Sequence, residues 1–183
     1  MAQYSLLGIS GALRSGSTNT MLVKEAARVF EPASFTLADL RLPLYDGDLE
    51  ASGGIPASVQ TLADQIAAAD AVVISGPEYN KGISGVLKNA LDWVSRTEGA
   101  PWVGKPVAVL SAAAGRAGGE RTQVMLRNCL VAFQPRLLQG PEVMIAGSGS
   151  AFDDSGQLTN ERSVEGLRKL MSALRDEVAR SQA

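Results

Sequence analysis

The sequence predicts an α/β fold in which a parallel β-sheet carries helices on both faces. Three observations lead there. Five short apolar, β-prone runs recur along the 183 residues, and helical patterns stand between them. The run Ala71, Val72, Val73, Ile74 and Ser75 is continuously apolar up to its last residue, as expected of a strand buried on both sides. Alternation of strand and helix means βαβ units, and right-handed crossovers distribute the helices over both faces.

Taken in order, the first strand spans residues 4–10 and is followed by a helix over 18–31. A short run at 34–38 reads as an edge strand. Residues 43–56, with Gly47, Gly53 and Gly54, form the longest irregular stretch, either a mobile flap over a site or a long crossover. A helix over 56–69 leads into the strand at 71–75. The next helix, 85–97, aligns Val86, Leu87, Ala90, Leu91 and Val94 in one apolar stripe, with Lys88 and Asp92 four apart on the other side. Ser84 stands where its N-cap belongs. A strand at 106–111 and a helix at 119–133 follow. In 136–145, Gly140 and Pro141 break the pattern and divide it into two short strands. The final helix, 160–180, gathers Val164, Leu167, Leu170, Met171, Leu174 and Val178 on one face. Neither a repeat nor a linker interrupts the chain, so residues 1–183 are expected to form one domain.

Composition narrows the function. Hydrophobic residues make up 45% and charged residues 20%, and no apolar segment approaches the ~20 residues of a membrane span. The first residues lack a signal-peptide pattern, so a cytoplasmic location is expected. A net charge of -2 without a basic cluster argues against nucleic-acid binding. The single Cys129 excludes an internal disulfide and, in an apolar segment, reads as a buried, inert thiol. With no histidine in the chain, neither a Ser-His-Asp system nor the usual zinc site can be built. Asp46, Asp48 and Glu50, like Asp153 and Asp154, lie in polar Gly/Ser-rich stretches and read as solvated turns rather than metal ligands. No side-chain catalyst is expected; the difficult chemistry falls to a bound cofactor.

Three loops carry the chemistry. After the first strand, Arg14, Ser17, Thr18 and Asn19 stand at the start of a helix. Free amides and the helix dipole favour an anion there, and Arg14 adds a planar donor fork. The same Ser17, Thr18 and Asn19 also suit ordinary helix capping. The loop is no Walker A motif, and Gly8, Gly11 and Gly16 are wrongly spaced for a dinucleotide fingerprint. The second loop, after the strand at 71–75, holds Pro77, Glu78, Tyr79 and Asn80, and Gly82 and Gly85 permit close approach to a planar ligand. The third runs from Ser111 through Ala112, Ala113, Ala114 and Gly115 to Arg116. All three follow strands of one parallel sheet and therefore open on one edge. A single ligand across them puts a phosphate on the first loop and a ring between the other two, a division that FMN fits.

At these residues the chain resembles the NADPH-dependent FMN reductase family, which includes bacterial chromate, quinone and ferric reductases of flavodoxin-like fold. The resemblance covers residues from Ser5 to about Leu130. It rests on Pro77, Glu78, Tyr79 and Asn80 followed by Gly85, Val86, Leu87, Lys88, Asn89, Ala90, Leu91, Asp92 and Trp93, and on a Gly-x-x-Arg-x-x-Ser-x-Asn pattern at Gly11, Arg14, Ser17 and Asn19. It implies a flavodoxin-like three-layer sandwich with a five-stranded parallel sheet in the order 2-1-3-4-5. Arg14, Ser17, Thr18 and Asn19 are then expected to hold the FMN phosphate. Pro77, Glu78, Tyr79 and Asn80 contact the isoalloxazine, largely through backbone groups, and Ser111 to Arg116 complete the site. Homodimers or homotetramers are usual for such proteins. Two positions depart from the family pattern. Ala12 stands where Ser is frequent, so one phosphate hydrogen bond is either missing or supplied by Ser10; Ser84 replaces a common Pro, and both suit a helix start.

The expected activity passes hydride from NADPH or NADH to bound FMN, and then electrons to a small-molecule acceptor such as a quinone, chromate or complexed ferric iron, in a ping-pong cycle. Lys81, Arg96 and Arg116 are the candidates to attract nicotinamide phosphates or an anionic acceptor. A flavodoxin-type electron carrier is the alternative, disfavoured by the nearly balanced charge; a phospholigand-sensing module is a third.

Overall fold

The architecture follows from strands that bury both faces. In the computed structural model, which describes residues 3–182, β1 (Ser5–Ser10), β2 (Ser34–Leu37), β3 (Ala71–Gly76), β4 (Pro106–Ala112), β5 (Arg136–Leu137) and β6 (Val143–Ile145) pair in parallel. Their order is β2-β1-β3-β4-β5, with β6 also beside β4. The fifth position is thus shared: β5 pairs with Pro106 and Val107, β6 with Leu110, Ser111 and Ala112. The break at Gly140 and Pro141 separates them as the sequence indicates.

Six helices flank the sheet: α1 (Thr18–Phe30), α2 (Gly47–Gly53), α3 (Ala57–Ala68), α4 (Gly85–Val94), α5 (Glu120–Leu130) and α6 (Glu161–Ser181). Successive strand side chains point to opposite faces. Leu6, Val73, Ala108 and Leu110 meet α1 and α6 in one core. Leu7, Ile9, Val72, Ile74, Val107 and Val109 meet α3, α4 and α5 in the other. Two cores on one sheet explain why the strands read as unbroken apolar runs. Among the described residues, no helix is long and apolar enough to cross a membrane.

Local signals act as expected. Ser84 Oγ caps α4 by accepting from Leu87 N–H, and Lys88 and Asp92 form an ion pair at 2.6 Å. Leu167, Leu170, Met171, Leu174 and Val178 of α6 are buried, whereas Val164 is only half-buried. α5 stops at Leu130 and tightens into a single 3-10 turn, Val131–Phe133. Cys129 is half-buried against the second core rather than fully enclosed.

The stretch 43–56 departs most from expectation. It contains α2, capped by the Asp46 side chain, which accepts from Asp48 N–H at 2.9 Å. Buried polar atoms of α4 hold its start. Asn89 Nδ2 and Trp93 Nε1 both donate to Pro43 C=O, at 2.9 and 2.8 Å, and Tyr45 N–H donates to Asn89 Oδ1 at 2.8 Å. The Tyr45 ring meets Trp93 edge-on, 5.0 Å between centroids. Glu50 accepts from the Tyr45 hydroxyl and from Arg96 Nε, and so raises the pKa of both groups. The segment is an anchored crossover. Asp153 collects Ser155 and Gln157 donors in a turn, which hold its carboxyl below the usual range.

Asn89→Ala removes two hydrogen bonds that fix the crossover and is expected to cost about 1–3 kcal/mol. Thermal melting should record the loss, and hydrogen exchange should show faster labelling confined to residues 43–53.

Candidate active site

β1, β3, β4 and β6 end at Ser10, Gly76, Ala112 and Ile145, so four loops leave the same edge of the sheet. Gly11 sits where the first two loops touch. Its N–H donates to Ser75 C=O at 2.9 Å, and a Cβ there would stand 2.6 Å from Leu87 Cδ1. Only glycine fits. The Ser84 hydroxyl donates to Gly11 C=O at 2.8 Å while it caps α4, so one side chain joins both loops.

The first loop delivers a helix N-terminus. Ser17 Oγ accepts from Asn19 N–H and Thr20 N–H, and the first intrahelical bond runs from Met21 N–H to Ser17 C=O. Thr18 N–H therefore remains as the first-turn donor without a helical partner. The Thr18 hydroxyl donates to Ser148 Oγ at 3.2 Å. Among the described residues, the Arg14 side chain has neither ion pair nor hydrogen bond, and its guanidinium lies beside Gly16, while its carbonyl accepts from Ser17 N–H.

In the second loop, Tyr79 and Gly82 exchange backbone hydrogen bonds of 3.1 Å across Asn80 and Lys81, whose φ values are 50° and 67°. Two positive φ angles in a two-residue connection mark the I′ type of tight hairpin. The turn leaves Tyr79 53% exposed. Glu78 directs its carboxylate to α5, accepting from Arg121 N–H at 3.1 Å with the Arg121 guanidinium 3.6 Å away. That carboxylate completes a helix N-terminus and is turned from the first loop.

The third loop is a wall of small residues. Ala113 N–H donates to Ile145 C=O, and Ser148 N–H donates to Ala113 C=O, which ties it to the fourth loop. Between these loops lies a cleft of ≈ 240 Å³. Arg14, Ser17, Thr18 and Asn19 of the first loop, Pro77, Glu78 and Tyr79 of the second and Ala112 to Ala114 of the third line it, with Ser148 and Ala12. The first loop brings donors and the Arg14 guanidinium, and the third brings small apolar residues. A larger cleft of ≈ 350 Å³ lies at the amino end of β4 around Trp102 and Phe133, but no charged residue lines it.

Five of the residues expected to bind the flavin do not line this cleft, nor does the charge candidate Arg96. Ser10 Oγ is turned back into its own loop, accepting from the Thr20 hydroxyl at 2.8 Å and lying 3.4 Å from the Ala12 backbone. Ser111 is fully buried behind the wall, where its hydroxyl donates to Gly118 C=O and accepts from Gln123 Nε2. Asn80, Gly115 and Arg116 are exposed outside the lining. Arg96 is held by Glu50 at the far end of α4. Ser148 was not anticipated, yet Gly147, Ser148 and Gly149 directly follow the last apolar run, the pattern that identified the other loops.

The model of the NADPH-dependent FMN reductase family matches residues 4–149. The chain belongs to that family. An NAD(P)H-dependent FMN reductase of Pseudomonas aeruginosa is 45% identical over 171 residues, 92% of each chain. A quinone reductase of Escherichia coli is 37% identical over 97% of each chain. Among solved structures, FerB, a flavoenzyme NAD(P)H:(acceptor) oxidoreductase from Paracoccus denitrificans, superposes with a TM-score of 0.87 at 32% identity, covering 97% of this chain and 98% of its own. The family's oxidoreductase activity and flavodoxin-like fold agree with the order of the sheet and the position of the cleft.

Ser84→Ala leaves the Gly11 carbonyl without its side-chain donor and α4 without its cap. A loss of about 1–3 kcal/mol in unfolding free energy is expected from denaturant titration.

Proposed function

We propose that the cleft holds FMN and that the chain is an NAD(P)H:acceptor oxidoreductase. The observation that carries this reading is the make-up of the cleft: the Arg14 guanidinium and a helix N-terminus from the first loop meet small residues from the third. Thr18, Arg14 and the N–H groups at the start of α1, organised by Ser17, would hold a terminal phosphate. Backbone groups of Pro77, Glu78 and Tyr79, with Ala112 to Ala114, would face the ring, and Ser148 lies within reach of the phosphate end. FMN supplies the redox chemistry when bound, taking two electrons from a reduced nicotinamide and returning them to an acceptor.

The chain's own contribution is binding, orientation and charge. Glu78 is engaged by Arg121, which keeps its carboxylate from opposing a phosphate. Lys81 and Arg116, exposed and without ion pairs among the described residues, would attract the phosphates of NADPH or NADH at the rim. Donor and acceptor would alternate at the same cleft, which is the basis of a ping-pong cycle with quinones, chromate or ferric complexes as acceptors. Residues 1–183 act in this reading as one domain, working in the cytoplasm where nicotinamides are kept reduced. A homodimer or homotetramer accords with the family resemblance.

Titration with FMN should give a yellow complex that oxidises NAD(P)H once an acceptor is added. Protein that stays colourless with FMN would overturn the reading. Parallel lines in double-reciprocal plots across acceptors are the expected mark of the ping-pong cycle. Arg14→Gln should weaken FMN binding by about tenfold while leaving riboflavin, which lacks the phosphate, almost unaffected. Arg116→Gln should raise KM for the nicotinamide about threefold or more at low salt, with unchanged FMN affinity.

A further inference from the structure

Asn19 differs from its neighbours in the first loop. It is only 3% exposed at the floor of the cleft, and its amide is engaged with protein. Oδ1 accepts from the Ser75 hydroxyl at 2.8 Å and from Ala112 N–H at 3.0 Å, and Nδ2 donates to Ala112 C=O at 2.9 Å. A primary amide offers two acceptor sites and two donors. Both acceptor sites and one donor are used by the ends of β3 and β4.

The location of these bonds gives them their effect. Pairing between β3 and β4 ends at Gly76↔Ser111, one residue short of Ala112. The Asn19 amide takes the place of the strand partner that Ala112 lacks there. Ser75 is two residues before Pro77, and Ala112 opens the small-residue wall. One side chain on the first turn of α1 therefore sets the distance from that helix N-terminus to both loops facing it.

We infer that Asn19 is a positioning residue: its amide fixes the spacing of the three loops and does not hold the phosphate. This inference rests on the reading of the cleft as a flavin site. A phosphate ligand and a spacer differ in how they discriminate between FMN and riboflavin. Loss of a phosphate contact weakens FMN selectively; loss of a spacer misplaces the ring walls and the phosphate end together.

The test is the dissociation constant of each flavin, measured by fluorescence titration on the wild-type protein, Asn19→Ala and Ser75→Ala, at a temperature where melting curves show each protein folded. Asn19→Ala should weaken both flavins by about tenfold, keeping the FMN-to-riboflavin ratio within about twofold of wild type. Ser75→Ala removes one of three bonds and should weaken both by about threefold, again in parallel. A ratio that collapses toward the Arg14→Gln value, or wild-type affinity for both flavins in Asn19→Ala, overturns the inference. If Asn19→Ala does not fold, Ser75→Ala decides by the same criteria. A wild-type protein that binds neither flavin overturns the flavin reading itself, a result distinct from either.

Discussion

The cleft exists because backbone groups at the carboxyl edge of a parallel sheet need partners after the strands stop. Buried peptide groups without hydrogen bonds are costly, so each strand end must be closed by something. Here the closing groups are side chains from the loops. Ser84 satisfies the Gly11 carbonyl, Asn19 satisfies both polar groups of Ala112, and Ser17 satisfies two amides at the start of α1. The groups that complete the fold also set the dimensions of the space between the loops. Stability and site geometry are set by the same hydrogen bonds.

Charge is arranged by a similar economy. Among the described residues, the only carboxylate lining the cleft, Glu78, is directed to the N-terminus of α5, where it is a favourable cap. The N-terminus of α1, in contrast, has Ser17, a neutral cap that organises the turn without cancelling its positive character. One helix start is neutralised from within and the other is left for an anion. A chain without histidine has no side chain of ordinary near-neutral pKa in this region, so its work is to hold and orient rather than to exchange protons.

The parallel sheet, its helices on both faces and the shared edge of the three loops were legible because apolar periodicity and strand-helix alternation report burial directly; the order of the strands came from the family resemblance. The stripe on α4 and the cap at Ser84 were readable for the same reason. Less was readable where a polar residue has two uses. Ser10, Ser111 and Asn19 look like ligand donors in a loop motif, and each also makes hydrogen bonds within the protein that sequence gives no view of. The crossover at 43–56 was opaque because its anchors, Asn89 and Trp93, lie more than thirty residues away on α4. Ser148 follows the same rule as the other loops, but the divided strand before it hid that its loop leaves the same edge.

The two lateral borders of the sheet are poor templates for a further strand. β2 is only four residues long, and the opposite border is interrupted between Leu137 and Val143, where Arg127 Nη1 donates to Leu138 C=O. Neither border offers the long row of free peptide groups that templates an added strand. Intermolecular strand addition, the route by which exposed sheet edges aggregate, is therefore disfavoured.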